Sequence, residues 1–180
     1  KNISHIRVEE QHLNTTRLAA FMHDVVPTNV NHTKTQRTVH NMLSQLRFTN
    51  EQTRVVSKLV GLARKYDTSL NNVDLWTDEQ TRRYIYDAGS HLTQLNHLVT
   101  ASHSQGSKVA VRIEQLAQKE NINDMKPALS GQQILSALNV KPGPIVGKAN
   151  MFLLDLRLRE GELSTEQTIE ELIHWRETQN

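Results

Sequence analysis

The sequence predicts an all-α protein, and three observations carry that expectation. Gly (seven) and Pro (four) are scarce in 180 residues, and they fall at the ends of periodic segments rather than inside them. Four segments open on a Ser or Thr followed three residues later by Gln: Thr49–Gln52, Thr77–Gln80, Ser130–Gln133 and Ser164–Gln167. In such a capping box the hydroxyl accepts from the third amide of the new helix, and the Gln side chain reaches back to the cap. No stretch alternates apolar and polar residues with the period of two that a half-buried strand needs.

In chain order the periodicity gives a multi-helix array of about nine helices, at 14–24, 33–47, 50–66, 78–88, 90–103, 106–120, 131–139, 144–160 and 165–177. In the third, Val55, Val56, Leu59, Val60 and Leu62 make one apolar stripe, with Arg54, Lys58, Arg64 and Lys65 off it. Gly89 and Gly161 stand where a left-handed C-terminal cap is wanted. Pro144 presets the first turn of the eighth helix. The least ordered stretches are expected at 67–76, rich in Asn and Asp, and at 121–129, through Asn121, Asn123, Asp124 and Pro127. They divide the chain into parts at 1–68, 69–125 and 126–180.

Composition narrows the function. With 37% apolar and 22% charged residues the chain is an ordinary globular one. Only eight residues are aromatic (two Trp, three Tyr, three Phe), so the core rests on Leu, Val, Ile and Ala. The absence of Cys excludes disulfides, Cys-ligated zinc, iron–sulfur clusters and a Cys nucleophile. No apolar run approaches the roughly 20 residues of a membrane span, and no signal-peptide pattern opens the sequence. A soluble, cytoplasmic protein without membrane contact is expected. The net charge of +2 is unevenly placed, with eight Lys/Arg against four Asp/Glu in residues 1–60, seven against eight in 61–125 and six against seven in 126–180. That surplus at the front suits a weak polyanion-binding face without demanding one.

Few residues offer chemistry. His23-Asp24 ends the apolar run Leu18-Ala19-Ala20-Phe21-Met22 and presents an imidazole and a carboxylate to a divalent metal. Two adjacent ligands are too few for a hydrolytic site, and His32 and His40 are candidate partners. The plainer reading has Asp24 solvating a helix end and His23 filling a partly buried position. His91, His97 and His103 recur every six residues, roughly 600° of helix rotation, so they cannot converge on one metal from a single straight helix. Lys141-Pro142-Gly143-Pro144, with Gly147 beyond, reads as a helix–turn–helix joint whose second N-terminus can hold a phosphate. Arg82-Arg83-Tyr84 and Tyr86 can grip a phosphate and stack a base, although Asp78, Glu79 and Asp87 stand ready as ion-pair partners. Lys108 and Arg112, one turn apart, form a second cationic pair. There is no P-loop, Gly-x-Ser-x-Gly, dinucleotide fingerprint or Asp-x-Asp pair.

Three stretches, taken in order, resemble the C-terminal helical region of bacterial CCA-adding tRNA nucleotidyltransferases of the poly(A) polymerase type. Leu18 to Asp24 resembles the His-Asp segment of the family's HD-like subdomain. Trp76-Thr77-Asp78, Arg82-Arg83-Tyr84 and Asp87-Ala88-Gly89 resemble its Trp-(Thr/Ser)-Asp…Arg-Arg-Tyr…Asp-Ala-Gly block. Leu129-Ser130-Gly131-Gln132-Gln133-Ile134, then Pro142-Gly143-Pro144, Gly147, Leu154, Gly161 and Trp175, resemble its tail. The resemblance implies a degenerate HD-like subdomain over 1–68, a helical body over 69–125 and a tail over 126–180. It implies a region that holds tRNA by its sugar-phosphate backbone, with Arg82, Arg83, Lys108, Arg112, Lys141 and Lys148 at the RNA. Catalytic residues and their Mg2+ would belong to a nucleotidyltransferase head missing from these residues, leaving this chain no cofactor and no CCA addition of its own.

The chain departs from the family pattern in two places. His23-Asp24 is followed by Val25-Val26-Pro27 instead of Gly-Lys, and Ser102-His103-Ser104 stands where related chains carry an Asp. The HD-like pair is therefore expected to bind metal weakly at most, with only His5 or His12 upstream as a further ligand. Two other readings are an HD-type metal-dependent phosphohydrolase resting on His23-Asp24, and a diverged helical scaffold for protein partners.

Overall fold

Each of the four Ser/Thr–Gln pairs starts a helix. In the computed structural model, which describes residues 2–27 and 31–178 and the side chains from residue 12 onward, every regular element is helical. The helices are α1 (Asn2–Val25), α2 (His32–Gln45), α3 (Asn50–Leu70), α4 (Asp78–Ala88), α5 (Leu92–Ser102), α6 (Ser107–Ala117), α7 (Gly131–Leu138), α8 (Pro144–Glu160) and α9 (Thr165–Glu177). Short 3-10 turns occur at Val73–Leu75 and Gly89–His91. Reciprocal capping boxes close the starts of α3, α7 and α9, and Thr77 with Gln80 makes the same pair of bonds ahead of α4. Gly89 and Gly161 both have positive φ, at 56° and 91°, as their positions at helix ends require.

Two expectations are corrected. α1 begins at Asn2 rather than near 14. α3 runs through Leu70, so the stretch 67–76 is largely ordered. Ala63 and Tyr66 continue the buried stripe, Leu70 carries it beyond the predicted helix end at 66, and Val73 and Trp76 are buried after it. The Trp76 indole donates to the Ser69 carbonyl at 2.9 Å and ties the turn to the helix.

Contacts group the chain into two units, 1–76 with 87–114 and 77–86 with 115–180. These interleave in sequence and so do not coincide with segments cut at 68 and 125. In the first unit α1, α2, α3 and α5 pack around Ala19, Met22, Val39, Leu43, Val56, Leu59, Leu95 and Leu98. Gly61 lets α2 approach α3 closely, since a Cβ there would sit 2.9 Å from the Cβ of Gln36. In the second unit α7, α8 and α9 enclose Leu129, Ile134, Ala149, Leu153, Leu156 and Leu172. Phe152 stacks on Trp175 at the edge of that core, with ring centroids 5.2 Å apart.

Candidate nucleic-acid contacts and a candidate metal centre

The six cations expected at RNA fall into different environments. Arg82 is buried, and its Nε donates to Glu120 Oε1 at 2.6 Å while Nη1 donates to the carbonyls of Leu158 and Arg159. The second oxygen of Glu120 accepts from Arg157 Nη1 at 2.8 Å, and Arg157 also donates to the Asn121 carbonyl. Both guanidinium groups and the carboxylate have side chains less than a tenth exposed. Gly161 passes so close that a Cβ would lie 2.7 Å from Arg82 Nη2. The expectation for Arg82 is corrected accordingly: it holds the second unit together, because a buried charge must be paired and hydrogen-bonded where it lies. Tyr84 is likewise fully buried, so it offers no face to a base, and burial pushes its hydroxyl pKa up.

The remaining cations reach solvent to different degrees. Arg83 is partly exposed and bonded to Glu79 and Asp155, and these carboxylates hold its pKa above the ordinary value, Asp155 most strongly. Lys108 pairs with Asp74 on the surface, an arrangement worth little in water. Arg112 donates to the Trp76 carbonyl at 2.6 Å. Lys141 and Lys148 are exposed on either side of the α8 N-terminus. There Gly143 supplies no side-chain cap, Pro144 takes the first helical position, and the first turn carries no acidic residue.

The basic surplus at the front of the chain includes three exposed cations that were not among the sequence-predicted site residues. No Asp or Glu occurs between Asp24 and Glu51, and Lys34, Arg37 and Arg47 in that interval are exposed. Arg47 has φ 59°, a left-handed conformation usual for Gly, because it ends α2 where the Phe48 amide turns back to the Leu43 carbonyl. The acid-free interval was legible in the sequence; the exposure was not.

The histidines of the first unit come together in a way that their spacing concealed. His23 on α1, Asp67 on α3 and His103 just past α5 each place one ligand atom within 4.8 Å of the others. His103 Nε2 lies 2.6 Å from Asp67 Oδ1, and the His23 and His103 rings meet edge-on with centroids 5.7 Å apart. Asp24, expected as the second ligand, is no member of this cluster: its exposed carboxylate faces His23 Nδ1 at 3.5 Å. His23 is only 6% exposed, and its Nε2 has no hydrogen-bond partner. Burial, and then the Arg64 guanidinium, hold the His23 pKa below its ordinary value near 6.5. His12 and His32 are exposed outside the cluster, as is His40, and the side chain of His5 lies outside those described.

A family model for tRNA nucleotidyltransferase domain 2 matches residues 27–172. No curated protein and no solved structure gives a match.

Proposed function

Because the chain belongs to the tRNA nucleotidyltransferase domain 2 family, we propose that it is the tRNA-holding helical region of a CCA-adding enzyme. On this reading it grips the sugar-phosphate backbone, while nucleotide addition belongs to a catalytic head outside these residues. The observation that supports it best is the α8 N-terminus. With no side-chain cap, no acidic residue in its first turn and Lys141 and Lys148 beside it, the positive end of the helix dipole is left for an anion. Arg83, Lys108 and Arg112 add contacts in exchange for their present partners, and Lys34, Arg37 and Arg47 add a further cationic face. None of these groups reads a base edge, so binding is to backbone and indifferent to sequence.

Affinity is expected in the micromolar range or weaker, on the order of non-specific nucleic-acid binding. Each phosphate contact releases counterions, so binding of tRNA followed by fluorescence anisotropy should fall steeply from about 50 to about 200 mM salt. Undetectable or salt-independent binding would contradict the proposal. In a second arm the chain is incubated with tRNA lacking its 3′ end, CTP, ATP and Mg2+. No extension is expected, since the sequence has no Asp-x-Asp pair to hold the catalytic metals. Extension would overturn the division of labour.

A further inference from the structure

We infer that His23, Asp67 and His103 form a binding site for a divalent transition-metal ion of the Zn2+ class. The hydrogen bonds around the two rings fix which nitrogens are available. Ser102 Oγ donates its proton to the Leu98 carbonyl at 2.8 Å, so toward His103 Nδ1, also 2.8 Å away, it acts as acceptor. With Nδ1 held by Ser102, His103 directs Nε2 at Asp67 Oδ1, 2.6 Å away, and Nε2 is the nitrogen a metal would take. That distance is a hydrogen bond, so the proton between the two atoms must leave, and the atoms part slightly, when an ion enters between them.

His23 repeats the pattern. Its Nδ1 side faces the Asp24 carboxylate, which leaves Nε2 as the lone-pair nitrogen, buried and without a partner. Asp24 and Ser102 thus occupy the places of the outer groups that orient metal-binding imidazoles. Two imidazoles and one carboxylate from three separate segments suit zinc, cobalt or nickel better than the all-oxygen cations, and they leave a fourth position open.

Arg64 sets a limit on affinity. Its Nη1 lies 3.7 Å from Asp67 Oδ2, while Nη2 donates to the carbonyls of His23 and Val26 at 2.6 and 3.2 Å. Its charge balances that of Asp67, so the site before loading is near neutral and selects ions by ligand chemistry more than by charge. Asp67 keeps 42% of its side chain exposed and has room to part slightly from His103 around an ion. The site uses none of the cations proposed for RNA.

The test starts from the whole chain freed of metal with EDTA, which is then titrated with Zn2+ by calorimetry and with Co2+ by visible absorption. One equivalent is expected to bind. Asp67→Asn and His103→Gln should each weaken binding more than about 100-fold, and Asp24→Asn, which removes only an orienting contact, by about tenfold. Circular dichroism checks that each variant is folded. A measurement on the unmodified chain makes the test independent of the variants: Co2+ should shift the imidazole resonances of His23 and His103 in the NMR spectrum and leave those of His32 and His40 in place. Absence of stoichiometric binding would overturn the assignment. So would unshifted His23 and His103 resonances, or binding undiminished in folded Asp67→Asn and His103→Gln.

Discussion

Arg82 and Arg157 lie in the same unit as Lys141 and Lys148, and the two pairs of cations do opposite things. The arginines converge on Glu120, a carboxylate with a side chain only 6% exposed, and take backbone carbonyls for their further donors. The lysines flank a helix start that lacks acidic residues and a side-chain cap. Residue class does not separate them, since all four are basic side chains. Completion of the partner set does: a buried guanidinium with its bonds made is architecture, whereas an exposed ammonium beside free helix charge still seeks an anion. His23 stands between these extremes, buried like the first pair but with its Nε2 left without a hydrogen-bond partner.

The comparison breaks hardest at Glu120. Replacing it with Ala leaves buried Arg82 without a carboxylate and Arg157 with only the longer contact to Glu162, and urea melts should show a loss of about 3–5 kcal/mol. A loss below about 1 kcal/mol would mean that the network is not closed in solution. The next effect is the pH response of His23 in metal-free protein, where Asp24 on α1, Arg64 and Asp67 on α3 and His103 after α5 face it. Its folded pKa lies below the unfolded value near 6.5, so the unfolded chain takes up the proton first as pH falls. The associated stability is complete above pH 6.5 and is lost as pH falls through the lower folded value, by up to about 1.4 kcal/mol per pH unit. Subtracting the profile of His23→Gln should remove this slope; an identical slope in the variant would show that another group is responsible. The smallest effect concerns Arg47. Arg47→Gly relieves a left-handed residue and should raise stability by about 1 kcal/mol while weakening tRNA binding. A variant that gains stability with unchanged tRNA affinity would remove Arg47 from the RNA face.

Much of the helical pattern was legible because its signals are local. The Ser/Thr–Gln boxes and Pro144 act within one turn of the residues that display them, and α4, α8 and α9 begin and end where the sequence predicts. The end of α3 was not legible, since Asn and Asp suggested a loop while burial of Leu70 and the Trp76–Ser69 bond kept the segment ordered. The role of Arg82 is hidden for the same reason on a longer scale. Its neighbours Asp78 and Glu79 were visible in the sequence, but its actual partners are Glu120 and the carbonyls near the end of α8. His103 is hidden from any spacing argument, because its periodic companions His91 and His97 cannot meet it and nothing in the spacing points to Asp67 or His23. Only the missing Asp near 102 in the family resemblance marked the position as unusual.

The central claim is that available cations, and not the completed ones, hold RNA. Its most direct test is the salt dependence of tRNA binding by the wild-type chain and by Lys141→Ala/Lys148→Ala, two exposed positions whose loss should leave the melting curve unchanged. If each lysine meets a phosphate, the slope of log affinity against log salt should become shallower by about two in the double variant, equally for every tRNA tried. An unchanged slope and affinity in the folded double variant would contradict the account.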